Sequence, residues 1–145
     1  MISSPAPGVV LDTNVVLDWL VFDDPTVHVL ARAIRNGQLH WLVSPAMRAE
    51  LDFILQRSTL GRWHPQRAAV LDHFDALARP AEAPPPNTYP ATPRCRDASD
   101  QIFIDLACAT GARWLLTRDT ALLSLARRAR DRGVNILTPR RWPGL

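Results

Sequence analysis

The residues best suited to chemistry in this chain are acids. Asp12 ends the run Gly8-Val9-Val10-Leu11, and Asp119 follows Trp114-Leu115-Leu116-Thr117 after one further residue. Asp97 and Asp100 lie within one turn of each other at the start of a helical stretch. Glu50 falls on a helical wheel inside the arc of Ala46, Met47, Phe53 and Ile54, which points its carboxylate along an apolar stripe. Each acid has a structural account when taken alone. Asp is among the best helix N-caps, negative charge suits the first turn of a helix, and Glu50 could pair with Arg57 two turns on. Glu50 strains that account most, because burying an unpaired carboxylate costs several kcal/mol. If the strands are neighbours, Asp12, Glu50, Asp100 and Asp119 can meet in one pocket at the carboxyl edge of a sheet. Their mutual repulsion calls for a hard divalent cation that prefers oxygen, Mg²⁺ or Mn²⁺.

The elements that must position these acids can be read in order. Gly8 to Leu11 is a short buried strand, followed by a helix from Val15 to about Leu20. Asp23 or Asp24 caps a second helix with Pro25 at its first position, and Asn36-Gly37 stops it. His40 to Val43 is the second strand, and Ser44-Pro45 opens a third helix, Ala46 to about Arg57. The chain turns around Thr59 to Pro65, and a fourth helix spans Gln66 to Ala78. Pro80 to Pro93 is proline-rich, which excludes a regular helix or central strand and leaves a stiff connection with room for a short edge strand. Asp97 to Thr110 is the fifth helix, Trp114 to Thr117 the next strand, Asp119 to just before Gly133 the sixth helix, and Val134 to Leu137 the last strand. Strands alternating with helices predict a parallel α/β sandwich. In such a sheet, ligands bind beyond the carboxyl ends of the strands.

Composition narrows the function further. The 145 residues suffice for one domain, 1–145, with a real core. No signal peptide and no apolar run of membrane-spanning length is present, so a cytoplasmic protein without membrane contact is expected. Cys95 and Cys108 match no zinc or redox spacing, and the histidines show no paired ligand pattern. The net charge is +3, and all seventeen basic residues are Arg, eight of them between Arg113 and Arg141. A face rich in arginine suits a polyanion, against the plainer reading of a solvated surface helix.

The pattern as a whole resembles the PIN-domain ribonucleases, in the VapC-like branch of toxins from bacterial toxin–antitoxin pairs. The likeness is carried by Val9-Val10-Leu11-Asp12-Thr13-Asn14-Val15-Val16-Leu17, by Ser44-Pro45-Ala46-Met47-Arg48-Ala49-Glu50-Leu51, by the stretch from Arg96-Asp97-Ala98-Ser99-Asp100 to Ala107, and by Trp114-Leu115-Leu116-Thr117-Arg118-Asp119 to Leu123. Ile136-Leu137-Thr138-Pro139 is similar to the family's last strand. Two segments depart from the pattern: the proline density of Pro80 to Pro93, and the ending Trp142-Pro143-Gly144-Leu145.

The resemblance implies a PIN-like three-layer α/β/α sandwich with a short central parallel sheet. It makes Asp12, Glu50, Asp100 and Asp119 the catalytic, metal-holding acids and Asp97 an extra acid, with Asn14 supporting the first acid and Thr117 near the fourth. The implied reaction is Mg²⁺- or Mn²⁺-dependent hydrolysis of RNA. Arg96, Arg118, Arg127, Arg128 and Arg130 are candidates for holding its backbone by salt-dependent contacts. A cognate antitoxin and a homodimer are the implied protein partners. The alternative is a PIN-like module that binds RNA or protein without cutting, and the intact acid set argues against it.

Overall fold

The architecture is given by a computed structural model that describes residues 5–57, 67–82, 84–85 and 92–145. Its strands are β1 (Gly8–Leu11), β2 (His40–Val43), β3 (Arg79–Pro80), β4 (Trp114–Leu116) and β5 (Asn135–Leu137). All pair in parallel, in the order β3-β2-β1-β4-β5. The helices are α1 (Thr13–Leu20), α2 (His28–Arg35), α3 (Pro45–Gln56), α4 (Arg67–Leu77), α5 (Gln101–Thr110), α6 (Thr120–Leu123) and α7 (Ala126–Arg130). The expected turn at Thr59 to Pro65, the helix start at Gln66 and positions 83 and 86–91 of the proline-rich stretch lie outside the described residues.

Alternation along each strand sends side chains to both faces of the sheet, and both faces are covered. Val9, Leu11, Trp41, Val43, Trp114 and Leu116 pack toward α1 to α4. Val10, Leu115 and Ile136 pack toward α5 to α7. A sheet apolar on both sides is what parallel strands with helical crossovers require, and the three-layer α/β/α expectation holds. Trp41 anchors the first face, its ring 5.1 Å from Trp19 and 4.8 Å from Phe74. Burying side chains of this size contributes about 1.5–3 kcal/mol each. Gly8 allows β1 and β2 their close approach, since a Cβ there would sit 2.8 Å from Leu42 Cδ1.

Strand order fixes where a ligand can sit. The chain winds outward from β1 to β2 and β3, then crosses over to β4 and β5. The reversal leaves a crevice between the carboxyl ends of β1 and β4, the usual ligand position in open α/β sheets.

Three local expectations change. The sixth helix breaks into α6 and α7, because the Ser124 hydroxyl donates to the Ala121 carbonyl and Leu125 N–H turns back to Leu122. The second helix begins as a 3₁₀ turn, Pro25–Val27, capped by Asp24. The core stripe of α3 is Met47, Leu51 and Leu55, with Ala46 and Phe53 exposed. Phe53 lies outside, under the Arg57 guanidinium at 5.1 Å. Glu50 therefore sits on the shoulder of the stripe, half-buried. The edge strand foreseen in the proline-rich stretch forms at its beginning, where β3 joins β2.

Candidate metal centre

Asp12 is placed by the last rung of the sheet. Its N–H donates to the Leu116 carbonyl (3.0 Å), and its own carbonyl accepts Val15 N–H (2.9 Å), so the backbone turns directly from β1 into α1. The residue stands in the N-cap position, yet its carboxylate makes no cap bond to α1's second or third N–H. Instead Oδ2 accepts a 2.6 Å hydrogen bond from Thr117 Oγ1. Thr117, fully buried at the end of β4, also accepts Asp119 N–H (2.9 Å), so one hydroxyl links the two strand ends.

Asp119 behaves differently: it caps α6, its Oδ1 accepting Ala121 N–H at 2.7 Å. Asp100 closes the 3₁₀ turn Ala98–Asp100 that leads into α5. Carboxylate oxygens of Asp12, Asp100 and Asp119 lie within 4.8 Å of one another. Asp12 is 5% exposed and Asp100 8%, and Asp100 Oδ2 is buried with no partner among the described residues. Burial lifts the Asp12 carboxyl above its ordinary range; the Thr117 hydroxyl and Thr13 N–H oppose this, and the Asp119 and Glu50 charges add to it. Asp100 is pushed up to about 7, first by burial, then by a hydrogen bond with Asp119 and by the charge of Asp12. Three oxygen donors that repel one another around an unsatisfied buried oxygen fit a hard divalent cation.

The other sequence candidates are spread around this cluster. Glu50 is outside the close group and accepts a 2.9 Å hydrogen bond from Thr13 Oγ1, one residue along from Asp12. Asp97 is exposed and caps the Ala98–Asp100 turn through Ser99 N–H and Oγ, contacts that hold its carboxyl below the usual range. Asn14 is half-buried, with Oδ1 unpartnered among the described residues. Arg96 reaches Thr120 Oγ1 at 3.2 Å. Arg118 forms a fork with Asp18, Nε to Oδ2 at 2.8 Å and Nη2 to Oδ1 at 3.0 Å. Arg127, Arg128 and Arg130 are exposed on α7.

Two residues were missed by sequence reasoning. Asp18 is 6% exposed on α1, and burial raises its carboxyl despite Arg118. Its signal was available: it is the one charge inside Val15-Val16-Leu17-Asp18-Trp19-Leu20. Ser44 is 1% exposed, and its hydroxyl has no partner among the described residues. It looks like a cap in sequence, which hides that its side chain makes no cap bond.

The profile of the PIN domain family matches residues 8–121, which span β1 to α6 and every acid of the cluster. The chain belongs to the PIN domain family. No curated protein sequence matches it. Among solved structures, this PIN domain is similar to a chain in the crystal structure of VapBC2 from Rickettsia felis bound to a DNA fragment from their promoter. The TM-score is 0.63 with 16% identity, over 89% of this chain and 96% of that chain. At that identity the likeness is one of fold.

Proposed function

We propose that the chain is a single PIN-like domain, 1–145, that hydrolyses RNA phosphodiester bonds with Mg²⁺ or Mn²⁺, as the VapC-like toxin of a toxin–antitoxin pair in the cytoplasm. The observation that carries the reading is the cluster of Asp12, Asp100 and Asp119 with an unsatisfied buried oxygen. Family membership and the fold shared with a VapBC2 structure support it. Among the described residues, no helix is long and apolar enough to cross a membrane. A cognate antitoxin and a homodimer remain the expected protein partners.

In this reading Asp12, Asp100 and Asp119 hold the ion, with Glu50 turned toward the same site from α3 by way of Thr13. When bound, a divalent cation lowers the pKa of water and offsets the charge developing on the attacked phosphate and the leaving oxygen. Thr117 fixes the Asp12 carboxylate in one orientation, and the Arg118–Asp18 fork fixes the loop that carries Thr117 and Asp119.

The test is cleavage of structured and single-stranded RNA in Mn²⁺, Mg²⁺ or EDTA, with calorimetry of Mn²⁺ binding. Wild type should cut only with metal, and Asp12→Asn should fold, bind Mn²⁺ poorly and lose cleavage. Full activity in that variant, or in EDTA, would overturn the reading.

A further inference from the structure

We propose that the groove beside β5 holds the nucleotide next to the cleavage point of a single-stranded RNA, an inference that rests on the ribonuclease reading. The cavity has a volume of about 550 Å³ and a floor that includes Leu123 and Ile136. Arg130, Asn135, Thr138 and Arg141 supply its polar lining.

Its position ties it to the acids. Leu11, Leu116 and Leu137 are in register across β1, β4 and β5. The ladder continues one rung further, through Asp12 N–H to Leu116 and Thr117 N–H to Leu137. The next row along the carboxyl edge is therefore Asp12, Thr117, Thr138. With strands about 4.8 Å apart, Thr138 stands about 10 Å from Asp12 along that edge. A strand whose scissile phosphate meets the acids runs on into this groove.

Its chemistry suits a nucleotide. Among the described residues, two exposed arginines line it and no acid does. Neither arginine is in an ion pair among the described residues, unlike Arg118, which Asp18 occupies. The cavity beside α2, by contrast, contains Asp23, and the one between α3 and α4 contains Asp75. Guanidinium groups bind phosphate in a bidentate manner. Asn135 donates Nδ2 to the Arg113 carbonyl at 3.1 Å, leaving its oxygen to accept from a base or a 2′-hydroxyl. The apolar floor receives the sugar or the base face. β5 is the edge strand of the sheet, but its three residues offer a peptide only a short ladder to extend. Of the basic run on α7, this assigns Arg130 to RNA and adds Arg141, which lies beyond that run.

The experiment measures binding of a fluorescein-labelled, mixed-sequence single-stranded RNA in EDTA across a salt series, using the full chain. Arg130→Ala and Arg141→Ala should each weaken binding about threefold to tenfold and lower the slope of log affinity against log salt by about 0.7, the loss of one phosphate contact. Arg32→Ala on α2 should change neither. In parallel, RNA should shift the methyl resonances of Ile136 and Leu123. Unchanged affinity and slope in both groove variants, unshifted methyls, or no RNA binding at all would overturn the subsite. Groove-dependent binding without cleavage in Mn²⁺ would keep the groove as an RNA-binding surface and remove the nuclease reading, and with it the groove's place next to a cleavage point.

Discussion

Two turns in this molecule are built from nearly the same parts and do different work. Each runs from a buried strand of the central sheet through a threonine and an aspartate into a helix, at Leu11-Asp12-Thr13 and at Thr117-Arg118-Asp119-Thr120. In the second turn the carboxylate is used locally: Asp119 caps α6 through Ala121 N–H. In the first, Asp12 stands in the cap position but makes no cap bond, and the Thr117 hydroxyl of the other turn holds it. A cap repays the desolvation of an aspartate with a backbone partner. Asp12 forgoes the cap bond to the second or third N–H, has the Thr117 hydroxyl and Thr13 N–H as its partners, and is more deeply buried as well. The first turn thus carries an electrostatic cost that the second does not, and a bound cation is what would relieve it.

That cost gives the largest expected effect, a reversed pH dependence of stability without metal. A carboxyl whose folded value lies above its unfolded value keeps its proton in the folded state while the unfolded chain releases it. For Asp100, shifted from 3.8 to about 7, stability is greatest below about pH 4, falls as pH rises through the interval, and levels off above 7. Asp12 shifts in the same direction. Thermal melts in EDTA should show the midpoint dropping from pH 5 to pH 7.5, and Asp100→Asn should flatten the drop. Added Mn²⁺ should oppose it, because binding displaces the protons and strengthens as pH rises. A wild-type midpoint that is level or rising over that range would mean the acids are not strained together.

The second effect concerns how the two turns are fastened. Arg118, between Thr117 and Asp119, reaches across to Asp18 on the helix that Asp12 begins. Arg118→Ala leaves a buried carboxylate without its counter-charge, which costs about 3–5 kcal/mol when both partners are buried. Here the guanidinium is half in water, so about 2 kcal/mol is expected in urea unfolding. Asp18→Ala combined with Arg118→Ala should recover part of that loss. If Arg118→Ala costs nothing, the fork does not fasten the turns.

The difference between the turns also shows how far the sequence could be read. Strands β1, β2, β4 and β5 were legible to within a residue, because each is a short, mostly apolar run set off by glycine, proline or polar residues. The three aspartates of the cluster were legible from their places at strand and helix ends, a matter of chain topology. Orientation was not legible. A wheel that counted Ala46 and Phe53 in the apolar arc placed Glu50 inside the stripe of α3, but both are exposed, Phe53 under Arg57, and the stripe runs along Met47, Leu51 and Leu55. The break at Ser124 depends on one hydroxyl choosing a carbonyl of its own helix. The Asp18–Arg118 pair joins residues 100 positions apart, which no local pattern encodes. Which aspartate caps and which does not depends on Thr117, a partner in another strand.

The smallest effects separate a cap in position from a cap in fact. Asp119 and Ser44 both precede a helix, but only Asp119 makes the bond. Asp119→Ala should cost about 1 kcal/mol. Asp119→Asn keeps an oxygen for Ala121 N–H while removing a charge from the cluster, so it should cost less than Ala and melt no lower than wild type in EDTA. Ser44→Ala removes a buried hydroxyl that has no partner among the described residues, and the expected change is within about 0.5 kcal/mol. The three variants can be ranked by urea midpoint at constant m value. A Ser44→Ala loss as large as that of Asp119→Ala would show that Ser44 does cap α3 in solution.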